Sequence, residues 1–213
     1  MTTDELSEEE SWNNRYSESA QIWSGRPNVV LVQETADLTP GRALDLGCGE
    51  GADAIWLAEQ GWQVTAVDIS TVALARAADH AAASGDAVAG RIDWQHCDLS
   101  KTFPEGSYDL VSAQFLHSLG DMPREEILRK AADAVAPGGI LLIEGHLSFP
   151  SWEHNHHPEI HFPTPEEVIA DLKLPDGEWE ILLNQTHPRE HASPDGQPST
   201  RPDATVKVRR VPS

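Results

Sequence analysis

The stretch from Ala43 to Ser70 constrains the fold more than any other part of the chain. It begins with the apolar segment "ALDLG", passes through a glycine cluster into the helix-like "GADAIWLAEQ", and continues into "QVTAVDI", an apolar segment with an acid near its end. Two apolar runs separated by one helix are typical of a βαβ unit with parallel strands. The glycines then lie in the turn between the first strand and the helix.

The same alternation continues along the chain. An alanine-rich helix should begin at Ser70 or Thr71 and end at Gly85. Strands are predicted for "IDWQHCD", "YDLVSAQ" and "ILLIEG", and a helix for "MPREEILRKAADAVAPGG", from Pro123 to the Pro137-Gly138-Gly139 stop. Repeated βα units with short connections require a parallel sheet covered by helices on both faces. We therefore predict an α/β fold with a doubly wound sheet.

The two ends of the chain carry different signals. Thr164 and Glu167 have the spacing of a capping box, which predicts a helix over "TPEEVIADL". The strand-like segments "WEILLNQT" and "ATVKVRR" flank a turn-rich stretch and should pair antiparallel at the sheet edge. Residues 1–30 form a polar, aromatic-containing arm that should be partly helical, with its first ten residues frayed. Residues 31–213 form a single domain.

Composition limits the partners and the location. The chain has 15 Lys and Arg against 35 acids and a net charge of −20, which disfavours nucleic acid and anionic membranes as partners. No apolar run reaches the length of a membrane helix. The N-terminus is acidic, and Cys48 and Cys97 are too few for a disulfide framework, so we expect a cytoplasmic protein with reduced cysteines. We expect it to be a monomer or a homodimer. A C-terminal basic cluster is interpreted as a solvated face: Arg201, Lys207, Arg209 and Arg210.

The glycine loop, from Gly47 to Ala52, is compatible with two cofactors. The order Gly-Cys-Gly-Glu-Gly-Ala fits a variant of the dinucleotide fingerprint, with Asp68 at the expected distance. The second candidate is an adenosine cofactor that carries an amino acid and no phosphate. Asp45 favours it, because a carboxylate at this position suits an ammonium group and repels a pyrophosphate. Glu50 should add to that repulsion. The loop therefore favours an adenosine cofactor without phosphate, although the glycines alone do not decide.

Several motifs together resemble the class I S-adenosylmethionine-dependent methyltransferases. They are "LDLGCGEGADAIWLA", "VTAVDIS", "HCDL", "YDLVSAQFLH" and "APGGILLI". The aromatic "WNNRY" of the arm is also similar to small-molecule methyltransferases grouped with tellurite-resistance and thiopurine enzymes. The resemblance implies a Rossmann-like, mostly parallel seven-stranded sheet of order 3-2-1-4-5-7-6 with its last strand antiparallel. It also implies S-adenosylmethionine as cofactor and a small-molecule substrate.

Individual roles follow from that resemblance. Asp68 would accept hydrogen bonds from the ribose hydroxyls, Ile69 would face the adenine, and Asp98 with Leu99 would contact the adenine edge. Alternatives are a capping role for Asp68 and a turn role for Asp98. The predicted cofactor-binding residues are Trp12, Arg15, Tyr16, Asp45, Gly47, Cys48, Gly49, Asp68, Ile69, Asp98, Leu99, Gln114 and Phe115.

Histidines supply the candidate bases. His117 follows the fourth strand near the expected substrate mouth, and His146 directly follows the fifth. A histidine held at a pocket rim could take a proton from the substrate, so both are predicted to be catalytic, with His146 preferred. Beyond it, a loop to Pro163 carries four more histidines. This loop could bind a metal, cover the substrate or simply face solvent. The three readings stay open, and we assign no residue as a metal ligand.

The predicted reaction is an in-line SN2 transfer of a methyl group to a small nucleophile. Such a reaction requires alignment and exclusion of water, and it requires a base only when the nucleophile begins protonated. Two alternatives stay open from the sequence. One is an NAD(P)-dependent oxidoreductase, and the other is a protein that binds S-adenosylmethionine or S-adenosylhomocysteine without catalysis.

Overall fold

The computed structural model describes residues 6–118, 120, 122–150, 152, 160–193 and 195–212. Within them the chain forms α-helices and one β-sheet. The helices are α1 (Glu8–Ser17), α2 (Val29–Thr35), α3 (Ala52–Glu59), α4 (Thr71–Ala83), α5 (Asp86–Ala89), α6 (Arg124–Asp133) and α7 (Pro165–Leu172). The strands are β1 (Arg42–Leu46), β2 (Gln63–Asp68), β3 (Ile92–His96), β4 (Tyr108–Gln114), β5 (Val135–His146), β6 (Trp179–Ala192) and β7 (Pro198–Arg210).

The strands form one seven-stranded sheet in the order β3-β2-β1-β4-β5-β7-β6. The five strands from β3 to β5 are parallel, and β7 is antiparallel to both β5 and β6. This confirms the predicted fold class, strand order and antiparallel edge pair. The order reverses between β1 and β4, so the crevice at the carboxyl ends of these strands is where a ligand is expected.

Two apolar clusters pack on the two faces of the sheet. Leu142 lies in the cluster with Leu31 of α2, whereas its neighbours Leu141 and Ile143 lie in the cluster with Val168 of α7. Successive residues of a strand point to opposite faces, so one continuous apolar run supplies both clusters. The helices thus cover the sheet on both sides, as the repeated βα pattern predicts.

The N-terminal arm is more ordered than expected. Ser7 caps α1 through a capping box with Glu10, so the helix begins at Glu8 rather than after a frayed decapeptide. A second helix, α2, spans the predicted boundary between arm and domain at residues 30 and 31. The division of the chain into an arm and one domain stays a prediction.

The predicted end of α6 was wrong. The helix ends at Asp133, and Pro137-Gly138-Gly139 lies inside β5 rather than stopping the helix. The reason is a pairing across the sheet: Tyr108 N–H donates to the carbonyl of Ala134, and Tyr108 is in register with Val135. The chain therefore begins β5 at Val135, directly after the helix, and pairs there with β4.

The edge strands are longer than predicted. β6 and β7 extend through most of the turn-rich stretch and meet at a turn in which Ser193 N–H donates to the Gln197 carbonyl. Pro188 lies opposite Pro202, so the two residues without an N–H share one place in the ladder. His146, the last residue of β5, pairs with Asp203, so the two strands continue beyond it as a two-stranded ribbon formed by residues 188–192 and 198–202.

Within the described part of the chain, none of the helices combines the length and the apolar character needed to cross a membrane.

Candidate active site

The glycine loop follows β1 and is fixed against β2. The N–H groups of Gly47 and Cys48 both donate to the carbonyl of Val67. Gly47 has a φ of 72°, and a Cβ there would lie 2.8 Å from a methyl carbon of Leu116. A side chain would therefore be strained in conformation and in space. The positive φ and the contact with Leu116 together require glycine at this position.

Asp68, at the end of β2, clamps this loop. One carboxylate oxygen accepts the N–H of Gly49 at 2.8 Å, and the other accepts the N–H of Ser70 at 2.8 Å. The side chain is buried, which raises its pKa, while these backbone donors act against that increase. Each carboxylate oxygen can accept a further hydrogen bond, so two hydroxyls of a ligand could bind. Ser70, not Asp68, caps α4.

Asp45 is the acid that the loop leaves unsatisfied. It is 2% exposed, and its Oδ2 has no hydrogen-bond partner in the described residues. Burial, together with the carboxylates of Asp53 and Asp68, raises its pKa. The buried Oε1 of Gln114, at the end of β4, likewise has no partner there. A ligand with an ammonium group and further donors would satisfy both atoms, which fits the amino-acid end of S-adenosylmethionine.

Glu50 does not supply the negative charge expected inside the loop. Its carboxylate accepts the N–H groups of Ile22 and Trp23 and pairs with Arg76 at 2.9 Å. The argument against phosphate therefore depends on Asp45 rather than on Glu50. Asp53 has a similar role, since it accepts both the backbone and side-chain N–H of Asn28 at 2.7 Å. These acids attach residues 22–28 to the domain, a function that sequence reasoning missed.

Helix α1 lies across the glycine loop. The Tyr16 ring is buried, its hydroxyl accepts the Trp23 indole N–H at 3.0 Å, and it lies 3.0 Å from where a Cβ on Gly49 would be. Burial and the charge of Asp68 raise the pKa of Tyr16. Arg15 lies over the rings of Trp12 and Trp23, at 5.6 and 5.7 Å. The predicted arm residues are thus brought together above the loop.

The adenine-proximal residues follow β2 and β3. Asp98 binds the backbone N–H and hydroxyl of Ser100 and pairs with Lys101 at 2.7 Å, so it forms the turn that we considered as its alternative role. Leu99 is buried beside it. The Ile69 carbonyl lies 3.0 Å from the ring of His96. Cys48 and Cys97 are both free thiols.

His146 and Asp203 form a buried pair at the end of β5. The Nδ1 of His146 lies 2.9 Å from Asp203 Oδ1, and Asp203 is fully buried. Arg189 binds the other oxygen of Asp203. Burial lowers the pKa of His146, while the hydrogen bond to Asp203 acts in the opposite direction. A histidine held by a carboxylate at Nδ1 presents Nε2 as a proton acceptor.

His117 and Phe115 support that histidine. The N–H of His146 donates to Nε2 of His117 at 3.1 Å, and burial, together with Arg124, lowers the pKa of His117 to about 3. Its imidazole is thus neutral near pH 7. Phe115 has a φ of 54°, unusual for a non-glycine residue, and its ring stacks on His146 at 4.4 Å. Such a conformation at a cleft is typical of functional positions.

The interpretation of the C-terminal basic cluster as a solvated face was wrong for most of its members. Arg201 is 9% exposed and donates to the Ser148 carbonyl, Lys207 binds Glu34, and Arg210 donates to the Val135 carbonyl. Arg209 is partly exposed, with 42% of its side chain accessible, and it pairs with Glu180 at 3.4 Å. Sequence reasoning also missed Asp203 and Arg189, although the alternation of polar and apolar residues in "TRPDATVKV" could have indicated a strand with an inward-facing acid.

The histidine-rich loop is described only in part. His161 is exposed and pairs with Glu167 at 3.1 Å. The other three, His154, His156 and His157, lie outside the described residues, as do Glu153 and Glu159. Among the described residues, no group of His, Cys, Asp and Glu side chains is arranged to hold a metal ion.

Comparisons with known proteins agree with the fold and the loop. A methyltransferase-domain family matches residues 43–139. Ribosomal RNA small subunit methyltransferase C of Chromohalobacter salexigens is 36% identical over 131 residues, which cover 58% of this chain and 37% of that protein. The 27-O-demethylrifamycin SV methyltransferase of Amycolatopsis mediterranei is 36% identical over 128 residues, 57% of this chain and 46% of that protein. TehB from Haemophilus influenzae shares the fold, with a TM-score of 0.69 and 19% identity over 95% of this chain and 67% of that one.

The chain spans less than half the length of these two curated relatives. The matched segment includes the glycine loop, Asp68 and the β4 motif. Together with the strand order, these matches support a class I S-adenosylmethionine-dependent methyltransferase.

Proposed function

We propose that this chain transfers a methyl group from S-adenosylmethionine to a small-molecule nucleophile by in-line displacement. The observation that carries the proposal is the unsatisfied Oδ2 of Asp45 in the same crevice as Asp68. A buried carboxylate oxygen without a partner is costly, and a cationic ammonium group of a ligand compensates that cost. An alternative cofactor with a pyrophosphate would increase it.

The chain's own residues bind, orient and shield. When bound, S-adenosylmethionine supplies a methyl group activated by a sulfonium. Asp45 would hold the ammonium, Asp68 the ribose hydroxyls, and Tyr16 or Arg15 the carboxylate. Glu50 holds the segment that follows helix α1 through the N–H groups of Ile22 and Trp23, and the helix places Tyr16 beside Gly49, so the arm would exclude water from this crevice. The remaining assignments also belong to this proposal: Trp12, Gly47, Cys48, Gly49, Ile69, Asp98, Leu99, Gln114 and Phe115.

His146 is the proposed general base. A proton from the nucleophilic atom of the acceptor would move to Nε2 of His146, and the carboxylate of Asp203 would stabilise the resulting imidazolium. His117 accepts the N–H of His146 and so acts here as a positioning residue. Because His117 Nε2 is occupied in this way, the acceptor nitrogen of the pair that has no partner among the described residues is Nε2 of His146.

Charge supports a small acceptor rather than RNA. A polyanion binds through many Lys and Arg side chains, whereas this chain carries 35 acids against 15 bases. One relative is named for ribosomal RNA and another for a rifamycin derivative. Ribosomal RNA is therefore the comparison substrate in a screen of methyl-donor consumption with thiols, phenols, amines and oxyanions. Turnover of RNA in place of every small molecule would reject this part of the proposal. The cytoplasmic location stays a prediction.

The cofactor assignment is tested by Asp68→Ala, with Asp79→Ala on the exposed face of α4 as the matched control. We expect calorimetry to show S-adenosylmethionine binding weakened by about 1.5 to 3 kcal/mol in the Asp68 variant, the scale of lost hydrogen bonds to a charged group. The control should bind as the wild type does. Unchanged affinity in a folded Asp68 variant removes this residue from the site. Binding of NAD(P)H instead of S-adenosylmethionine rejects the methyltransferase, and binding without turnover across the screen rejects catalysis.

A further inference from the structure

A cluster of rings and guanidinium groups surrounds the proposed base. The ring of His146 lies 4.4 Å from Phe115 and 5.3 Å from His117, and His117 lies 6.3 Å from Phe162. Three arginines contact this cluster. The guanidinium of Arg189 lies 5.0 Å from the ring centroid of Phe115, and that of Arg201 lies 5.9 Å from the ring centroid of Phe162. Arg124 Nη2 and His117 Nε2 lie 3.5 and 3.4 Å from the position that a Cβ on Gly145 would take. We call these seven residues the mouth cluster: Phe115, His117, Arg124, His146, Phe162, Arg189 and Arg201.

Two of the three arginines form no close ion pair in the part of the chain that the structure describes, although Asp203 acts on Arg201, and Glu125 and Asp171 act on Arg124, at longer range. Arg189 pairs with Asp203. Arg201 donates from Nε to the carbonyl of Ser148 at 2.6 Å, and Arg124 donates from Nε to the carbonyl of Leu116 at 3.1 Å. In both, the hydrogen bonds thus come from the inner nitrogen. The two outer nitrogens of each guanidinium, which form the fork that binds a carboxylate, have no hydrogen-bond partner among the described residues.

This arrangement is unfavourable without a ligand. Arg189 and Arg201 lie directly opposite each other in the ribbon of β6 and β7, and like charges at that position destabilise a strand pair. Burial lowers the pKa of Arg201 to about 10 and also lowers that of Arg124. A chain with 35 acids does not lack partners for them. The positive charge at the mouth therefore contrasts with the charge of the whole molecule.

We propose that the methyl acceptor carries a carboxylate, which binds to the outer nitrogens of Arg201 and Arg124 while its nucleophilic atom faces Nε2 of His146. The guanidinium groups flank the base, so a bound carboxylate would orient the acceptor and reduce the positive charge of the mouth cluster. This inference names the substrate class of the proposed methyltransferase and rests on that function for the reaction. The binding of the carboxylate itself can be measured without turnover.

The test uses three pairs of probes: acetate and acetamide, benzoate and benzamide, tricarballylate and its triamide. Each is titrated calorimetrically into the full chain, with and without saturating S-adenosylhomocysteine. Arg201→Gln and Arg124→Gln remove the proposed contacts. Arg209→Gln is the matched control, because it removes the same charge from a partly exposed position on the same strand as Arg201, outside the mouth cluster. Circular dichroism establishes that each variant is folded.

At least one carboxylate should bind at least tenfold more tightly than its amide. Arg201→Gln or Arg124→Gln should abolish that preference, and Arg209→Gln should keep it. The proposal is overturned if no carboxylate binds, if amides bind equally well, or if Arg209→Gln has the same effect as the mouth variants. Failure of S-adenosylhomocysteine to bind rejects the methyltransferase function separately, since the carboxylate titrations are also made without it.

Discussion

At the scale of the single residue, Asp45 lowers the stability of the ligand-free protein and increases its affinity for a cationic ligand. The carboxylate is buried, one oxygen lacks a partner in the described residues, and Asp53 and Asp68 lie close enough to raise its pKa. Keeping this carboxylate ionised without a partner costs free energy in the ligand-free protein, and the raised pKa reflects that cost. A cationic ligand removes that penalty only when it binds, so the same feature increases affinity.

Asp45→Asn should therefore separate the two effects. Removing the charge should increase the free energy of unfolding of the ligand-free protein by about 1 kcal/mol, which raises Tm by roughly 2 to 4 °C for a chain of this size. S-adenosylmethionine should bind about tenfold or more weakly. Thermal unfolding and calorimetry measure the two quantities. Asp37→Asn, an exposed neighbour before β1, should change neither. A variant that is less stable and binds equally well contradicts this account of Asp45.

Asp203 should set the pH dependence of the proposed base. The active form of His146 is unprotonated, and its pKa is already lowered by burial, so kcat/KM should be flat near pH 7 and fall only at more acidic pH. The charge of Asp203 favours the protonated imidazole. In Asp203→Asn the pKa of His146 should fall further, and the acidic limb should move to lower pH.

Substitutions of His146 or Asp203 should lower turnover more than they lower the affinity for S-adenosylmethionine. We expect His146→Ala to lower kcat by roughly 100-fold to 10,000-fold with S-adenosylmethionine affinity retained. Asp176→Asn, which removes an exposed charge before β6, is the control for Asp203→Asn. An acidic limb at the same pH in wild type and Asp203→Asn, or full activity in His146→Ala, excludes the pair as the base.

At the scale of the element, α1 is attached to the domain by few contacts. The side-chain oxygen of Asn13 accepts the Ser70 hydroxyl at 2.8 Å and the Val72 N–H at 3.3 Å, which joins the helix to the first turn of α4. Glu9 adds a pairing with His96 at 3.3 Å. Glu8 also accepts the Ser118 hydroxyl, and Tyr16 is the buried residue of the helix. Because one buried side chain and a few polar contacts hold the helix, it should open locally at lower cost than the sheet unfolds.

Asn13→Ala should make that opening measurable. Losing both hydrogen bonds should cost about 1 kcal/mol, so amide exchange in α1 should accelerate by about fivefold. S-adenosylmethionine affinity should fall by a similar factor, because the closed arm covers the site. Asn14→Ala, on the exposed side of the same helix, should leave exchange and affinity unchanged. Equal exchange in the two variants would show that Asn13 does not hold the helix.

The elements that could be predicted are those whose signals lie within one segment. The capping box of Thr164 and Glu167 defines α7, and the apolar β5 run defines a buried strand. The ribbon of β6 and β7 was missed because its prolines and polar residues resemble turns, and only the pairing between strands reveals it. Asp203 lies 57 residues from His146, so no local pattern connects the base to its carboxylate.

At the scale of the whole molecule, charge is distributed unevenly. The chain has a net charge of −20, yet its mouth cluster carries three arginines. Self-repulsion of a highly charged surface destabilises the compact state, whereas a local positive field attracts an anionic ligand. Salt weakens both effects because the Debye length is about 10 Å at 0.1 M. Global stability and local binding should consequently respond to salt in opposite directions.

Raising NaCl from about 20 to about 500 mM should therefore raise Tm by roughly 2 to 4 °C, equivalent to about 1 kcal/mol. The matched variant replaces four exposed acids by their amides, which removes four negative charges: Glu59, Asp79, Glu126 and Asp133. With less self-repulsion, this variant should have a higher Tm at low salt and a smaller salt-induced increase. A Tm that falls with salt, or an equal increase in both proteins, means that specific ion pairs such as Arg76 with Glu50 dominate over net charge.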